Sequence, residues 1–447
     1  MQRSLKYLET CDGAYTARSK SFTEVYMRKR FIVAIASITA VLAVAAAQNQ
    51  KTQVVYWQYQ FDSKVNLVNE LIAEFGKSNP DIEVKQETFP YDSYIAKVKS
   101  SLGAGQGPDV ANLFYGWLPD WVGSNLLQPL PASFPAKQLE ERVGSLVKAS
   151  KIDGKYYAVP TAVRVLAVFY NKDLFKTAGI TSTPKTWAEM ELAAKKIQKV
   201  DGNKVSVAGW AVQPEGQDHH LFREVLTRQW GGKPYTTDFR KIAYNSAPAL
   251  EAFKWYTGLI ERGAATRGLD LFPGSGNAYR DSFIAGRAGM IVDGSFAISA
   301  IRNGAKFNWG VFELPVREAG GLRANFGSYW VHGLTPNAKG AKLEASTKWL
   351  RFLTSDDVQR RWLKAIGELP ANTALATAPE LRKDPIYGPF IASIPFARAT
   401  FFVDEAGQRK ALSDALNSVW LTKIDASKAL ESAANGEQKL LTDFFKR

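Results

Sequence analysis

Three histidines, His219, His220 and His332, are the only ones in the 447-residue chain, and they limit the catalysis that it could perform. A metal site or a histidine-activated nucleophile needs several such groups at matched spacing. On a helix, the adjacent rings of His219 and His220 are expected to point in different directions, which suits one hydrogen bond to a solute better than joint chelation. We therefore predict no metal and no cofactor, and keep His219 as a candidate binding residue.

Other catalytic patterns are also missing from the sequence, which contains no G-x-S-x-G elbow, no H-E-x-x-H pair and no P-loop. Gly103, Gly105 and Gly107 are followed by Pro108, which departs from the dinucleotide fingerprint and predicts a loop. Paired carboxylates that hydrolyse glycosides remain an alternative, because any two acidic side chains could meet in the folded chain. No spacing in the sequence singles out such a pair.

The elements that would position a site alternate between strand and helix. Residues 54–57 are a short β-prone run, residues 65–75 carry apolar side chains at helical spacing, and residues 82–88 alternate apolar and charged side chains. This order predicts a β-α-β unit and hence a sheet covered by helices. Residues 165–170 read as a further, buried strand.

Helices are also predicted farther along the chain. Thr186 and Glu189 have the spacing of a capping box, and a second helix is expected from about Pro248 to a stop at Gly263. Apolar side chains between residues 349 and 366 predict two consecutive amphipathic helices. No internal repeat and no long linker interrupts this pattern.

A leader segment is predicted at residues 27–47. Its sequence, MRKRFIVAIASITAVLAVAAA, has a basic start, an apolar core and a small-residue cleavage site. We interpret it as a cleaved signal peptide for export to the periplasm, with an uncleaved membrane anchor as the alternative. Residues 1–26 are then an N-terminal extension that is not translated, because Met27 would be the true start. The single cysteine, Cys11, lies in that extension, so the mature protein would contain no disulfide and no lipidated cysteine.

The charge is basic, with 57 Lys and Arg against 43 Asp and Glu, but the basic residues are scattered among acidic ones. This distribution is typical of a solvated surface, and we expect no nucleic-acid partner. About 400 residues remain after the leader, enough for two lobes with separate cores.

Several motifs resemble the extracellular solute-binding proteins of bacterial ATP-binding cassette importers, specifically the carbohydrate-binding group that includes maltose-binding protein. Those motifs, in family order, are GQGPDV at 105–110, DGKYYAVP at 153–160, FYNKDLF at 169–175 with AGI at 178–180 and PKTW at 184–187, FIAGRAGM at 283–290, and GVFELP at 310–315.

The resemblance implies an α/β fold of the type II periplasmic-binding-protein kind, with mixed sheets flanked by helices and a ligand cleft between two lobes. It implies an N-terminal lobe of residues 48–161 and 328–369, and a C-terminal lobe of residues 162–327 and 370–447. Crossings between the lobes are expected near Ala162, near residues 326–330 and near residues 369–370. The implied function is that of a monomeric, non-enzymatic receptor that passes a carbohydrate, expected to be an oligosaccharide, to inner-membrane permease subunits. An anionic solute, such as a glycerophosphodiester or a uronate, and a secreted polysaccharide-degrading enzyme are the alternatives.

A sugar presents an apolar C–H face and a rim of hydroxyls, so its site needs aromatic rings and planar polar groups. Aromatic side chains near predicted strand ends could supply the rings, although each could pack in the core instead. Arg164 could bind a carboxylate, phosphate or diol, or form a salt bridge between the lobes. The full set of candidate ligand-binding residues is Trp57, Tyr59, Tyr115, Trp117, Arg164, Trp210, Gln213, His219, Asp293, Tyr329, Trp330 and Phe401.

Overall fold

The computed structural model describes residues 51–134, 136–142 and 151–446; the predicted leader at 27–47 and the extension before it lie outside these residues. Strands and helices alternate along the described chain, as predicted. The strands are β1 (Thr52–Tyr59), β2 (Ile82–Phe89), β3 (Val110–Phe114), β4 (Lys151–Ile152), β5 (Lys155–Tyr156), β6 (Ala158–Asn171), β7 (Lys199–Asp201), β8 (Lys204–Val212), β9 (Ala265–Arg267), β10 (Ala288–Gly294), β11 (Trp309–Phe312), β12 (Asn325–Leu334), β13 (Leu369–Pro370) and β14 (Ala397–Arg398).

Helices cover the strands and form most of the C-terminal part of the chain. The α-helices are α1 (Asp62–Ser78), α2 (Tyr91–Gly103), α3 (Leu118–Gly123), α4 (Ala136–Glu140), α5 (Lys172–Thr177), α6 (Trp187–Ile197), α7 (Thr227–Gln229), α8 (Ala247–Thr257), α9 (Gly268–Leu271), α10 (Ala278–Ile284), α11 (Ala297–Gly304), α12 (Ala341–Leu353), α13 (Asp356–Ile366), α14 (Thr373–Ala376), α15 (Pro379–Lys383), α16 (Gly388–Ser393), α17 (Glu405–Thr422) and α18 (Ala426–Phe445). Short 3₁₀ turns occupy Tyr115–Trp117 and Ile394–Phe396, and π-helical turns occupy Pro214–Asp218 and Leu221–Leu226.

The long strand β6 joins two portions of the sheet, whose main strand order is β2-β1-β3-β12-β6-β10-β8-β7. Its first half pairs antiparallel with β12, from Ala158 opposite Gly333 to Val165 opposite Gly327. Its second half pairs antiparallel with β10 and β11. The sheet is mixed, since β1 runs parallel to both β2 and β3.

Three segments meet at the point where β6 passes from one portion of the sheet to the other. Val163 pairs with both Tyr329 of β12 and Leu369 of β13. The register of β12 shifts just beyond Trp330, as at a β-bulge. These are the segments in which the crossings were predicted.

Local signals account for several element boundaries. Thr186 and Glu189 form the predicted capping box at the start of α6, because the Thr186 hydroxyl accepts from the Glu189 amide and the Glu189 carboxylate accepts from the Thr186 amide. The β1-α1-β2 unit and the helices α12 and α13 are likewise confirmed. The loop predicted at the glycine cluster is confirmed by the positive φ angles of Gly105 and Gly107.

One predicted boundary is wrong. Helix α8 ends at Thr257, not at Gly263, and the intervening residues form successive turns. Gly258 follows the helix, and a glycine is costly inside a helix because it gains more backbone freedom on unfolding than other residues. The Thr257 hydroxyl also donates to the carbonyl of Phe253 in the last turn.

Candidate ligand-binding cleft

Aromatic side chains gather at the carboxyl ends of the parallel strands β1, β2 and β3. Tyr59 ends β1, Tyr91 follows β2, and Trp117 closes the 3₁₀ turn after β3. Trp330 reaches the same place from β12, where it pairs with Phe114 at the end of β3. We call Tyr59, Tyr91, Trp117 and Trp330 the aromatic cluster. Ligand crevices in open α/β sheets form outside the carboxyl ends of the strands, which is where the cluster lies.

The rings of the aromatic cluster contact one another directly. The ring centroids of Tyr59 and Trp330 are 4.4 Å apart, and those of Trp117 and Trp330 are 5.6 Å apart in an edge-to-face arrangement. Tyr91 bridges the group, with its centroid 5.5 Å from Tyr59 and 6.0 Å from Trp117. These contacts bury most of the cluster, since Tyr59, Trp117 and Trp330 are 6%, 4% and 2% exposed and Tyr91 is half-buried.

Charged groups surround the Tyr59 hydroxyl. It accepts hydrogen bonds from Lys64 Nζ at 3.1 Å and from Arg164 Nη2 at 3.2 Å. Arg164 also forms a salt bridge with Glu368, to which its Nε donates at 2.8 Å. Burial alone would raise the pKa of the Glu368 carboxyl, but Arg164 and Lys64, with a hydrogen bond from Trp362, lower that pKa to about 2. Because both of its acceptor positions are used, the Tyr59 hydroxyl has its own proton available for another acceptor.

Phe296 faces the aromatic cluster from beyond the carboxyl end of β10. The Arg164 guanidinium lies between two rings, 4.6 Å from the Phe296 centroid and 5.2 Å from the Trp330 centroid. Arg280 lies 5.3 Å from the same Phe296 ring and binds Asp293 through Nε at 2.7 Å and Nη2 at 3.2 Å. Asp293 therefore positions an arginine at the edge of this group and is itself fully buried.

The first turn of α17 supplies further polar groups. Burial raises the pKa of Glu405, and this is opposed by Arg409, whose Nε lies 3.5 Å from Glu405 Oε1. Burial raises the pKa of the Tyr91 hydroxyl. The charge of Glu405 adds to this increase, and the charge of Arg409 opposes it. Glu405 at the start of α17 and Trp117 of the aromatic cluster line one small cavity.

His219 lies between two π-helical turns that follow strand β8. Its Nδ1 is 3.0 Å from the carbonyl of Pro214, and burial, with Arg223 and Arg409 nearby, lowers its pKa well below the ordinary value. Among the described residues, His219 Nε2 has no hydrogen-bond partner. The expectation that the His219 and His220 rings diverge is wrong: their centroids are 3.9 Å apart. The π-helical turns on each side are wider than α-helical ones and change the direction of successive side chains.

A cavity of about 980 Å³ lies beside the aromatic cluster, and we call it the outer cavity. Tyr115 and Phe401 both line it. The Tyr115 ring stacks on Tyr329 at 4.6 Å, and its hydroxyl donates to the carbonyl of Thr400 at 3.1 Å. The structure therefore places Tyr115 and Phe401 on the outer cavity, whereas Tyr329 is fully buried against Tyr115.

Three candidate residues lie elsewhere. Trp57 lies two residues before the end of β1 and packs on Phe89 at 4.6 Å, whereas Trp210 on β8 stacks on Trp187 at 5.9 Å. Gln213 connects two loops, since its amide nitrogen donates to Gly276 and its amide oxygen accepts from the backbone of Tyr279. These contacts are structural.

Sequence reasoning did not name several residues that the structure places at the cleft. Tyr91 was detectable in principle, because it follows the strand predicted at residues 82–88, whereas no strand was predicted before Phe296. Glu368, Glu405 and Arg409 carry no local signal in the sequence, since they reach the site only through contacts between distant segments. In the described part of the chain, no group of three or more His, Cys, Asp or Glu could hold a metal ion. No helix described between residues 51 and 446 combines the length and hydropathy needed to cross a bilayer.

A mixed sheet in two portions, with a cleft at the carboxyl ends of its strands, defines the two-lobe class of binding-protein folds. The chain belongs to the family of bacterial extracellular solute-binding proteins, whose model matches residues 70–389. A binding protein of Brucella abortus (strain 2308) is 26% identical over 82% of this chain and 87% of the relative. The maltotriose-binding protein of Pyrococcus abyssi (strain GE5 / Orsay) is 24% identical over 75% of this chain and 70% of the relative. The structure of the GacH receptor of Streptomyces glaucescens GLA.O superposes with a TM-score of 0.77, at 23% identity, over 88% of this chain and 99% of that one. These similarities confirm the predicted family and fold.

Proposed function

We propose that the protein is a periplasmic, non-enzymatic receptor that binds a carbohydrate between its lobes and delivers it to the permease subunits of an ATP-binding cassette importer. The observation that carries this proposal is the aromatic cluster at the carboxyl ends of the strands, where the Arg164 guanidinium contacts both Trp330 and Phe296. Opening of the cleft would expose these buried rings to a solute. Flat rings next to planar polar groups match the C–H face and the hydroxyl rim of a sugar.

Relatives support the same class of solute. The Pyrococcus abyssi relative is a maltotriose-binding protein, and the GacH receptor was solved in complex with acarbose and an acarbose homologue. We therefore propose an oligosaccharide for this chain.

The lobes proposed are residues 48–161 with 328–369, and residues 162–327 with 370–447. The three segments that meet beside Val163 would form the hinge. Closure about this hinge would bury the solute and give a shape that the permease subunits can distinguish from the open form. A monomer is sufficient for this mechanism.

An anionic solute is the second candidate within the same receptor class. Arg164 was the residue expected to bind it, but its guanidinium is already paired with the buried carboxylate of Glu368. This pairing favours a neutral sugar, because an anion would have to displace Glu368 or add a second negative charge beside it.

The proposal is tested by thermal unfolding of the protein from residue 48 to 447 in the presence of neutral oligosaccharides, uronates, glycerophosphodiesters and polyols. A ligand at about 100 times its dissociation constant should stabilise the fold by roughly 2.7 kcal/mol. Stabilisation by one class of neutral sugar, which is then recovered intact, supports a receptor. Hydrolysis of the sugar would support the secreted polysaccharide-degrading enzyme, and stabilisation by anions alone would support the second candidate.

Matched tryptophan variants connect the binding to the proposed site. Trp117→Phe and Trp330→Phe should weaken binding of the stabilising sugar. Each should also reduce the change in tryptophan fluorescence that we expect when the sugar binds. Trp255→Phe is the control, because Trp255 packs against Trp187 and Trp230, away from the aromatic cluster. An equal loss of affinity in all three variants would contradict the proposed site.

We also propose that the leader is cleaved after Ala47. Mass spectrometry of the exported protein should then give Gln48 as the first residue, whereas a peptide from residues 5–18 of the precursor would contradict translation from Met27.

A further inference from the structure

The outer cavity differs chemically from the aromatic cluster. Its lining has phenyl rings and aliphatic side chains but no indole, and it also includes polar side chains such as Tyr157 and Arg398. The residues that form the apolar walls are Pro119, Ile152, Phe239, Phe401, Phe402 and Phe444.

Several polar groups on these walls already have partners. The Tyr115 hydroxyl donates to the carbonyl of Thr400, and the Thr400 hydroxyl donates to Glu224 Oε1 at 2.9 Å. Arg398 Nη1 donates to the carbonyl of Ala397 at 2.9 Å, and Asp120 is paired with Lys99. A sugar hydroxyl placed against the phenyl rings, away from Arg398 and Tyr157, would lack a partner, which is unfavourable for a buried polar group.

Polar side chains are also present at the mouth of the cavity, where Asn125, Lys151 and Asp153 are exposed to solvent. Their position allows water to satisfy them when the cavity is filled. The chemistry of the interior is therefore set by the rings and not by these groups.

Phe239 is held in a backbone conformation that a phenylalanine rarely adopts, with φ at +58°. Its turn is fixed by neighbouring contacts, since Thr236 N donates to the Lys241 carbonyl at 2.9 Å and Asp238 Oδ1 accepts from the Arg240 amide at 3.1 Å. The Phe239 ring is nonetheless 44% exposed. A strained residue that holds an apolar ring in solvent indicates a role beyond folding.

The Phe239 ring packs beside Phe401. Their centroids are 5.1 Å apart with the ring planes at 39°, and Phe401 also stacks on Phe445 at 6.2 Å with an interplanar angle of 13°. Phe239 and Phe401 line the outer cavity together with Tyr115, and the 3₁₀ turn that carries Tyr115 also carries Trp117 of the aromatic cluster. One solute could therefore contact both.

We propose that the solute is a glycoside whose sugar binds at the aromatic cluster and whose flat apolar aglycone binds in the outer cavity on Phe239 and Phe401. This inference rests on the proposed function and narrows its ligand class from a carbohydrate to a carbohydrate with an apolar substituent.

The test compares phenyl and 2-naphthyl glycosides with the methyl glycosides of the same sugars and with unsubstituted oligosaccharides, by calorimetry. The aryl glycosides should bind at least about tenfold more tightly than the methyl glycosides, because burial of an aryl ring removes apolar surface from water. Phe239→Gly should abolish this preference and leave the affinity for methyl glycosides unchanged. Glycine adopts a positive φ without strain, so the variant removes the ring without disturbing the turn.

Lys423→Gly is the matched control, since Lys423 also has a positive φ of 56° but lies at the end of α17. It should retain the aryl preference in full. Equal affinity for aryl and methyl glycosides in the unmodified protein would overturn the inference. So would an affinity that rises with each added sugar unit and that Phe239→Gly does not reduce, because sugar units would then occupy the outer cavity.

N-phenyl-1-naphthylamine, a neutral fluorescent probe without a sugar, separates the two proposals. Sugar binding without probe binding overturns this inference and leaves the proposed function intact. Probe fluorescence that depends on Phe239, together with no binding of any sugar or glycoside, overturns the proposed function and the composite ligand with it.

Discussion

Arg164 Nε donates to Glu368 Oε1 at 2.8 Å and so connects β6 to the residue that precedes β13. Both segments pass through the point where the two portions of the sheet meet. The pair therefore connects two of the three segments that meet beside Val163, and Tyr59 connects the same guanidinium to the aromatic cluster.

Replacing the carboxylate of this pair should destabilise the fold. Glu368→Gln leaves the buried guanidinium of Arg164 without a counter-charge, which typically costs about 3–5 kcal/mol. The pKa of Glu368 is lowered from 4.5 to about 2, so its carboxylate stabilises the fold above pH 4.5, and this stabilisation is lost as the pH falls towards 2. Urea unfolding at pH 7, 4 and 3 should therefore show a shrinking difference between the unmodified protein and the variant.

Glu344→Gln is the control for that measurement, because Glu344 is exposed on α12. Its free energy of unfolding should stay within about 0.5 kcal/mol of the unmodified value. A difference for Glu368→Gln that is the same at all three pH values would show that the pair does not titrate as described.

A side chain at position 116 should prevent the 3₁₀ turn that contains Gly116 from lying as close to Phe402 as it does. A Cβ atom on Gly116 would lie 2.6 Å from Phe402 Cδ2 and 2.8 Å from Phe114 Cε1, closer than carbon atoms pack. Gly116→Val should therefore either separate the two sides, which increases the radius of gyration in small-angle X-ray scattering, or lower stability by about 1–3 kcal/mol.

Gly123→Ala is the matched control, since a Cβ atom at Gly123 meets nothing within 4 Å. An unchanged radius of gyration together with an unchanged melting temperature for Gly116→Val would mean that Gly116 and Phe402 do not approach as closely in solution.

Local features of this fold were predictable from the sequence, whereas the composition of the site was predictable only in part. The capping box depends only on Thr186 and Glu189, which are three positions apart, so this spacing is sufficient to predict it. Trp57 and Tyr59 lie on the same face of β1, but only Tyr59 stands at its carboxyl end, and depth along a strand has no sequence signal. Glu368 is 204 residues from Arg164, so its role follows from the pairing of β13 with β6.

His332 should make the fold sensitive to mild acid. Its ring nitrogens lie 2.9 Å from the Tyr56 hydroxyl and 3.1 Å from the Thr161 hydroxyl, and burial, with the nearby charge of Lys64, lowers its pKa from 6.5 to about 3. The unfolded chain binds the proton near pH 6.5 and the folded chain does not, so stability falls as the pH decreases from 6.5 towards 3. This single residue should contribute about 1.4 kcal/mol per pH unit over that range.

His332→Gln retains polar atoms at this position but has no titrating group. Urea unfolding between pH 7 and 4.5 should show a shallower loss of stability for the variant than for the unmodified protein, by about the contribution of one histidine. His219 and His220 are also buried with lowered pKa values, so a residual slope is expected. A variant slope as steep as that of the unmodified protein would contradict the assignment.

The last helix, α18, should depend on one buried ion pair. Arg223 Nη2 binds Glu437 of α18 and also donates to the carbonyl of Gln408 at 3.0 Å, and both charged side chains are fully buried. Glu437→Gln should lower the free energy of unfolding by about 3–5 kcal/mol, because it leaves the Arg223 charge uncompensated. Glu431→Gln, on the exposed face of α18, is the control and should change the free energy of unfolding by less than about 0.5 kcal/mol.

Replacing both partners, as Arg223→Met with Glu437→Leu, should recover most of the lost stability, since a well-packed apolar pair often substitutes for a buried ion pair. Hydrogen exchange of α18 distinguishes the causes: faster exchange in Glu437→Gln that the double variant restores indicates loss of the charge balance, whereas faster exchange in both indicates that the hydrogen bonds of Arg223 themselves hold the helix.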